Sequence, residues 1–444
     1  MILDEIKNFT KNFLQEIEGE KIYLVSHFDT DGITSAAIFI KTLEKLSKQF
    51  SVKILKSLTK EDIEKFPEDK TIVLLDLGSS HLNELSKLKN KIFVIDHHEI
   101  KNQIPSLNIR IINPHLINTT ERLCAAELSY LVSREISEEN KELAYLAVIG
   151  RIGDVMESEI GKTTSLIIED SKVHIKEGLL IYPSTRPIDK ALEYSSRPFI
   201  PGVTGDSKGT FELLKEAGIE KIGKSYKSLI DLDKKEMKDL VTAVMLRLSE
   251  KEKNQDYIGN LFLIKFFNKI EDAREISAII NAGSRMGQPT NSLMYCLGHH
   301  KARANAEKLY VKYRQHIISG LKQIEQHKKI QGREYVIINV KDKIKDTLIG
   351  TLASILSFSS IYKEGTVIIG MAYNEDKIKI STRMAGRNPK SNRNLKKLME
   401  SITEIIGGES GGHQKAAGCI IRREDEDKFI DLIKNKLDIE IVKV

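Results

Sequence analysis

The 444-residue sequence is poor in the residues that cross-link or anchor a chain. It has no tryptophan, and its three cysteines (Cys124, Cys296 and Cys419) form neither a close pair nor a CxxC motif. This composition disfavours a disulfide framework and a thiolate zinc site. No apolar run approaches the roughly 20 residues of a membrane-spanning helix, and the amphipathic, acid-containing N-terminus is typical of a helix rather than a signal peptide. We therefore expect a cytoplasmic protein without membrane contact.

A large excess of one charge is also absent. The chain has 69 Lys and Arg against 63 Asp and Glu, a formal net charge of +6. So mild an excess is weak support for a nucleic-acid partner. With 41% hydrophobic and 30% charged residues, the chain resembles an ordinary globular protein, long enough for two or three domains.

The order of strand-like and helix-like segments predicts an α/β fold. Between Lys21 and about Leu180, helical patterns alternate with apolar runs, which predict strands at Ile22–Val25, Val52–Leu55, Ile72–Leu75, Ile92–Ile95 and Arg110–Ile112. Such alternation is typical of a doubly wound parallel sheet. A Pro- and Gly-rich border and a mainly helical stretch follow, and strands return after Glu334. We predict a catalytic domain at residues 1–200, a helical insert or linker at 201–330, and a smaller α/β domain at 331–444.

Two carboxylates and an imidazole follow the first predicted strand. Because alternate residues of an extended chain point the same way, His27, Asp29 and Asp31 project together. They lie at the carboxyl end of the strand, where open α/β sheets place their ligands. Carboxylates so close repel one another, and a bound cation is the economical explanation.

Three later segments supply matching side chains. Asp76 follows one strand, Asp96, His97 and His98 follow another, and Asp154 lies in a Gly-punctuated turn. A lone aspartate at a strand end is usually a helix cap or turn former, so the combination carries the prediction. Strand ends of one sheet converge, and six donors suit two divalent ions: His27, Asp29, Asp31, Asp76, His97 and Asp154. Mixed carboxylates and imidazoles favour two Mn²⁺, with Mg²⁺ as the alternative.

These motifs resemble those of the DHH phosphoesterase family. HFDTDG, LLDLG, DHH and GRIGD occur in the family's order, and GGESGGHQKAAG resembles the signature of the DHH-associated domain. NAGSRMG resembles a motif of RecJ-like nucleases, and residues 179–206 resemble archaeal RecJ-like proteins. The resemblance implies two lobes with the active site in the cleft between them. Bacterial RecJ has a further oligonucleotide-binding barrel, for which this chain has no room.

The resemblance also implies a role for each residue. His27, Asp29 and Asp76 would hold one Mn²⁺, and Asp31, Asp76, His97 and Asp154 the other. His98 would contact the scissile phosphate, and Asp96 would orient a neighbouring imidazole. Arg383 corresponds to the family's phosphate-binding arginine.

Further substrate contacts are predicted from residue chemistry. Gly411 and Gly412 offer backbone N–H groups to an anion, with His413 as a donor beside them; a plain turn is the alternative. Arg285 is suited to clamp a phosphate and Asn281 to satisfy a neighbouring phosphate or base, unless both are ordinary loop residues. A basic run without acids lies upstream and favours a polyanion: Arg383, Arg387, Lys390, Arg393, Lys396 and Lys397.

We therefore expect an archaeal, Mn²⁺-dependent exonuclease that trims single-stranded DNA or RNA to nucleoside monophosphates during DNA replication or repair. One alternative is a nanoRNase or cyclic-dinucleotide phosphodiesterase acting on short substrates. Another is a scaffold of the replication complex that associates with GINS. The sequence leaves open the cleavage polarity, the choice of DNA or RNA, the minimum substrate length, the oligomeric state and the identity of any partner.

Overall fold

A computed structural model of the chain describes residues 2–100, 107–117, 119–195, 200–248, 257–359, 361–386 and 393–442. The chain forms two compact units, Met1–Tyr310 and Val311–Val444. The three-domain division expected from the sequence stays a prediction. No helix in the described ranges combines the length and the hydropathy that a membrane span requires.

The first unit contains most of the regular structure. Its helices are α1 (Ile2–Glu16), α2 (Thr30–Lys45), α3 (Lys60–Glu64), α4 (Leu82–Leu85), α5 (Ala125–Ile136), α6 (Ala144–Gly153), α7 (Lys162–Ser171), α8 (Ile188–Glu193), α9 (Ser207–Glu216), α10 (Lys234–Arg247), α11 (Ala273–Arg285) and α12 (Pro289–Cys296). Its strands are β1 (Ile22–His27), β2 (Phe50–Leu55), β3 (Thr71–Leu75), β4 (Ile92–Ile95), β5 (Ile109–Ile112), β6 (His174–Leu179), β7 (Ile258–Phe266) and β8 (Lys269–Asp272). Helix α13 (His300–Gln326) begins in this unit and ends in the second.

The second unit is a smaller α/β domain, as predicted. Its helices are α14 (Asp346–Phe358), α15 (Leu395–Ile406) and α16 (Glu426–Val442). Its strands are β9 (Ile330–Gln331), β10 (Tyr335–Asn339), β11 (Val367–Asn374), β12 (Lys377–Met384), β13 (Glu409–His413) and β14 (Ala416–Arg422). They form one sheet in the order β13-β14-β12-β11-β10-β9, in which β10 and β11 pair in parallel.

The parallel sheet of the first unit confirms the predicted α/β fold. Its strand order is β2-β1-β3-β4-β5, and every pair is parallel. Strands β3 and β4 are buried along their whole length, which explains why they are continuous apolar runs in the sequence. The strand order reverses between β1 and β3, so a crevice opens at their carboxyl ends.

Aromatic side chains hold α1 and α2 against this sheet. Phe13 of α1 makes edge-to-face contacts with Phe39 of α2 and Phe93 of β4, with ring centroids 5.8 and 5.1 Å apart. Phe9 of α1 meets Phe93 in the same way at 5.6 Å. Phe13, Phe39 and Phe93 are fully buried. Such pairs stabilise the fold beyond the area that they bury.

A second, antiparallel sheet differs from the helical character expected after residue 201. Strands β6, β7 and β8 pair in that order, and residues between Leu179 and Leu261 form a separate hydrophobic core. The β7–β8 hairpin turns at Phe267 and Asn268, which both have positive φ. Asn268 is the one residue there whose type favours such a turn, so the local turn signal is weak.

Replacing Phe93 with Ala should destabilise the first unit. The fully buried ring loses both edge-to-face contacts and leaves a cavity, which costs about 3–5 kcal/mol. Guanidinium unfolding followed by circular dichroism would measure this loss. Leu246→Ala, at a position 75% exposed, is the matched control and should change the free energy of unfolding by less than about 0.5 kcal/mol. A loss below 1 kcal/mol for Phe93→Ala would contradict the packing described here.

Candidate metal centre

The predicted cation donors lie at one edge of the parallel sheet. His27 is the last residue of β1, Asp76 directly follows β3, and His97 lies just beyond β4. Asp154 comes from outside the sheet and caps the C-terminus of α6. Strands β1 and β3 flank the point where the strand order reverses, so the first two residues sit where such sheets bind ligands.

Asp29 and Asp31 also shape helix ends. Asp29 is the N-cap of α2, where its Oδ1 accepts a hydrogen bond from the Gly32 N–H at 3.1 Å. Asp31 is fully buried, and its two oxygens each accept a backbone N–H of Ala125 or Ala126 at 2.8 Å. These are the first residues of α5, so Asp31 holds α2 and α5 together at their N-termini.

Asp76 lies between two histidines. Its Oδ2 is 3.1 Å from His27 Nδ1, and its Oδ1 is 3.3 Å from His97 Nε2. The backbone has a φ of +58°, in the left-handed region that Asp tolerates better than most residues. This conformation follows directly after β3 and carries the carboxylate to the centre of the site.

Asp96 organises the turn after β4. Its Oδ2 accepts the Ser79 N–H at 2.9 Å, and its Oδ1 accepts the His97 N–H at 2.8 Å. The same Oδ1 lies 2.7 Å from Nδ1 of His98. Burial raises the pKa of Asp96, but the hydrogen bond and the positive charge of His98 lower it by a larger amount. The net pKa of Asp96 is therefore below its ordinary value. Asp96 therefore orients the imidazole of His98.

The structure brings all six predicted donors together in three overlapping sets. In each set, one ligand atom per residue lies within 4.8 Å of the others. The sets are His27, Asp29 and Asp76; Asp31, His97 and Asp154; and Asp76, His97 and His98. Asp76 and His97 each belong to two of the sets and therefore link them.

A buried oxygen shows that this cluster suits a cation. Asp76 is 1% exposed, and in the described part of the chain no donor reaches its Oδ1 with hydrogen-bond geometry. His97 Nε2 lies 3.3 Å from this oxygen as an ion-pair contact. A buried carboxylate oxygen that lacks a well-aligned hydrogen bond is costly, and a divalent cation would satisfy it. Carboxylates with imidazoles are ligands that Mn²⁺ and Mg²⁺ accept, so the residues fit the metals predicted from the sequence.

The histidines respond strongly to the acids around them. Burial lowers the pKa of His27, but the carboxylates of Asp29 and Asp76 outweigh it and hold the pKa well above its ordinary value. Burial acts on His97 in the same way, and Asp76 and Asp154 reverse it. In the chain by itself, both imidazoles therefore favour the protonated, positively charged form.

The pKa values of two carboxyl groups are raised as well, and a raised pKa favours the neutral form of a carboxyl group. Burial and the neighbouring Asp76 carboxylate raise the pKa of Asp31 to about 7. Burial and the Asp31 carboxylate raise the pKa of Asp154 well above its ordinary value. Protons thus neutralise part of the cluster in the chain by itself. Bound cations would release them, because ligand groups bind metals in their deprotonated forms.

A buried ion pair, not predicted from the sequence, joins α5 to α6, the helix whose C-terminus Asp154 caps. Arg151 Nη1 of α6 donates to Glu127 Oε2 of α5 at 2.7 Å, and both residues are at least 97% buried. Thr164 also donates its hydroxyl to Glu127 at 2.8 Å. Local spacing does not reveal a partner 24 positions away. The sequence signal for this ion pair is limited to the position of Arg151 inside the GRIGD motif.

Gly150 in the same motif allows close helix packing. A Cβ at this position would lie 2.4 Å from Ala126 Cβ and 2.9 Å from Asp31 Oδ1. Any larger residue would push α6 away from the N-termini of α2 and α5. Asp154, one turn further along the chain, would move with it.

Two of the predicted substrate residues lie in the first unit, on α11. The Asn281 side chain accepts the Thr30 N–H at 3.2 Å, which places it directly beside the N-terminus of α2, where Asp29 and Asp31 lie. Arg285 is the last residue of the same helix and is half-buried. Both residues are therefore part of a helix and are not loop residues.

The other substrate residues lie in the second unit. Arg383 on β12 and His413 on β13 are both in register with Ala416 on β14, the strand between them. Residues opposite one another in antiparallel strands face the same side of a sheet, so Arg383 and His413 share a face about 10 Å apart. Arg383 Nε also donates to Ser354 Oγ at 2.9 Å.

The glycine-rich segment, for which a plain turn was the alternative to an anion site, is a strand. Gly411 and Gly412 belong to β13, an exposed edge strand. Gly412 has a φ of +128°, and a Cβ there would lie 2.5 Å from the Ala416 carbonyl oxygen, so only glycine fits. Residues 387–392 of the basic run, with Arg387 and Lys390, lie outside the described residues.

Comparison with known families matches three segments of the chain. Residues 21–151 match the DHH family, N-terminal domain. Residues 181–262 match the DHH-CID domain, and residues 332–438 match the DHHA1 domain. The first match spans five of the six predicted cation donors, and the third contains the Arg383–His413 face.

Similar proteins match nearly the whole of this chain. An uncharacterised protein of Methanocaldococcus jannaschii is 27% identical over 446 residues, 96% of each chain. RecJ of Thermus thermophilus, solved with Mn²⁺, superposes with a TM-score of 0.62 at 16% identity over 97% of this chain and 54% of its own. The chain thus spans about half the length of that RecJ. CDC45 of Entamoeba histolytica superposes with a TM-score of 0.64 at 13% identity, over 97% of both chains.

Stabilisation by Mn²⁺ should increase with pH. Because the pKa values of Asp31, His27 and His97 are raised, the folded chain binds more protons than the unfolded chain. The stability that these protons contribute is lost as the pH rises through the pKa values of the folded chain. In chelator, the melting temperature should therefore fall from pH 6 to pH 8. Mn²⁺ at a hundredfold excess over its Kd adds about 2.7 kcal/mol to the free energy of unfolding. At a fixed Mn²⁺ concentration, this stabilisation should be larger at pH 8 than at pH 6.

Thermal melts with Mn²⁺ and with chelator would measure this difference. Asp31→Asn should lose most of the Mn²⁺ effect, whereas Asp431→Asn, at a side chain 74% exposed, should retain it. An Mn²⁺ effect that is equal at both pH values would contradict the coupled protons.

The Glu127–Arg151 pair should show strong coupling. Arg151→Met leaves a buried carboxyl group without its partner and should cost about 3–5 kcal/mol of stability. Adding Glu127→Gln should recover part of that loss, because the second change removes the unpaired acid. Chemical denaturation of both single variants and the double variant would measure the coupling. A double variant less stable than Arg151→Met would contradict it.

Proposed function

Since the chain belongs to the DHH family, we propose that it is a metal-dependent phosphodiesterase that trims single-stranded nucleic acid from an end to nucleoside monophosphates. The gathering of six cation donors at the switch point of the sheet carries this proposal. The fold shared with Mn²⁺-bound RecJ supports it. We propose a role in DNA replication or repair.

In this proposal the six predicted donors are divided between two cations. His27, Asp29 and Asp76 would hold one Mn²⁺, and Asp31, Asp76, His97 and Asp154 the other, with Mg²⁺ as the alternative. Divalent cations at these positions would supply the Lewis acidity that activates water and neutralises charge on phosphoryl oxygens. Asp76, the carboxylate common to two sets, would hold both in place.

His98 is suited to contact the scissile phosphate. Its side chain is 43% exposed, unlike the buried Asp96 that orients it. Burial lowers the pKa of His98, but the hydrogen bond and charge of Asp96 raise it above its ordinary value. A protonated imidazole held in a fixed direction can donate a charge-assisted hydrogen bond to a phosphoryl oxygen.

The second unit would hold the nucleic-acid strand. Arg383 and His413 face the same side of its sheet, and both carry donors for phosphate oxygens. Gly411 and Gly412 leave the adjacent edge strand without bulky side chains, so a phosphate can approach the backbone closely. Asn281 and Arg285 would add contacts from α11 in the first unit.

Two alternatives remain distinguishable by experiment. A nanoRNase or cyclic-dinucleotide phosphodiesterase would cleave short substrates in preference to long ones. A scaffold that binds GINS or other replication proteins would need no cation donors. We favour catalysis because all six donors are present and converge, although a partner role can coexist with it.

Loss of a central donor should abolish cleavage. Asp76→Asn and His97→Ala should each lower the turnover of end-labelled single-stranded DNA and RNA with Mn²⁺ by more than about 100-fold, since loss of an outer partner alone costs 10–100-fold. Product sizes read from each labelled end would give the polarity, and substrates from dinucleotides upward would give the length preference.

His174→Ala is the matched control, because His174 is an exposed histidine of β6 and should leave turnover unchanged. A folded Asp76→Asn protein with full activity would refute the proposed site. Faster cleavage of dinucleotides than of long strands would favour the short-substrate alternative.

A further inference from the structure

Thr30 lies at the junction of the loops that carry the cation donors. It stands between Asp29 and Asp31 and is 1% exposed. Its side chain packs on Gly153, where an added Cβ would lie 2.6 Å from Thr30 Cβ. Gly153 directly precedes Asp154, so Thr30 borders three donors that belong to two different sets.

Helix α11 grips Thr30 at both its backbone and its side chain. The Thr30 N–H donates to Asn281 Oδ1 at 3.2 Å. The Thr30 hydroxyl donates to the Ser277 carbonyl oxygen at 3.1 Å and lies 3.2 Å from the Ser277 hydroxyl. Ser277 and Asn281 are four residues apart and thus share one face of the helix.

The amide of Asn281 satisfies a donor that Asp29 would otherwise have to serve. The first N–H groups of a helix have no partner within it, and Thr30 is the first residue of α2. Asp29 already accepts the Gly32 N–H with Oδ1, while its Oδ2 lies 3.1 Å from His27 Nδ1. Without Asn281, the Thr30 N–H would compete for Asp29 and draw its carboxylate away from the other donors.

We propose that Asn281 is a positioning residue for the cation site. Together with Ser277 it fixes Thr30, and through Thr30 it sets the positions of Asp29, Asp31 and Asp154. Asn281 thereby sets the affinity for cations, in addition to any contact with substrate. This inference rests on the proposed function only in requiring that the donor sets bind divalent cations.

Mn²⁺ binding gives a direct test that does not depend on cleavage. Asn281→Ala and Thr30→Val should each raise the Kd for Mn²⁺ by about 10–100-fold, the usual effect of losing an outer partner of a metal ligand. Electron paramagnetic resonance of free Mn²⁺ would measure it. The double variant should raise the Kd at least as much as either single variant, because Asn281→Ala removes the acceptor of the Thr30 N–H and Thr30→Val removes the hydroxyl bond to Ser277.

Kinetics at saturating Mn²⁺ separate positioning from substrate binding. The KM of Thr30→Val for a single-stranded oligonucleotide should then stay within about two-fold of the wild type, because Thr30 is buried and its defect lies in cation binding. Thr30→Ser keeps the hydroxyl and should restore most of the affinity that Thr30→Val loses. Asn291→Ala, at a partly buried asparagine of α12 that bonds to the Ala302 carbonyl oxygen, should keep the wild-type Kd.

Each opposing result overturns a different statement. An unchanged Kd with a raised KM in Asn281→Ala would make Asn281 a substrate contact and overturn the positioning role. Equal Kd values for Thr30→Val and Thr30→Ser would overturn the statement that the contact with Ser277 helps to fix Thr30, even if Asn281→Ala does not fold. A wild-type protein that binds no Mn²⁺ would instead refute the cation site and the proposed function.

Discussion

The repulsion between buried carboxylates is the constraint on which the rest of this structure depends. Asp31, Asp76 and Asp96 are each at most 1% exposed, and they lie within a few residues of one sheet edge. Such a group of acids is stable only if positive charge or hydrogen-bond donors surround each one. Histidines, helix N-termini and backbone N–H groups supply part of that compensation. Within the described residues, Asp76 Oδ1 receives no hydrogen bond of good geometry, so its compensation is incomplete.

Three helices around the sheet hold residues of this cluster in place. The N-terminus of α5 receives Asp31, α6 delivers Asp154, and α11 grips Thr30. Close packing at Gly150 and the buried Glu127–Arg151 pair keep α5 and α6 in a fixed relation. The loops after β1 and β4 are therefore held from several sides, as preorganised sites require.

The sequence predicted most of the catalytic sheet because its signals are local. Apolar runs fell within β1 to β5, and alternation along the chain placed His27, Asp29 and Asp31 at one strand end. Contacts across long separations escaped it, among them Asn281 with Thr30, 251 positions apart, and Arg151 with Glu127. The β7–β8 hairpin was also missed, because its turn signal is weak. The edge strand β13 was missed because a glycine-rich run is more typical of a turn.

The left-handed backbone at Asp76 has a consequence for how such a site can change over time. Most side chains would add about 1–2 kcal/mol of strain there, while asparagine adopts the same conformation readily. Asparagine at position 76 would therefore remove a buried negative charge and keep the backbone of the turn after β3. At this one position the charge of the cluster can change independently of its shape.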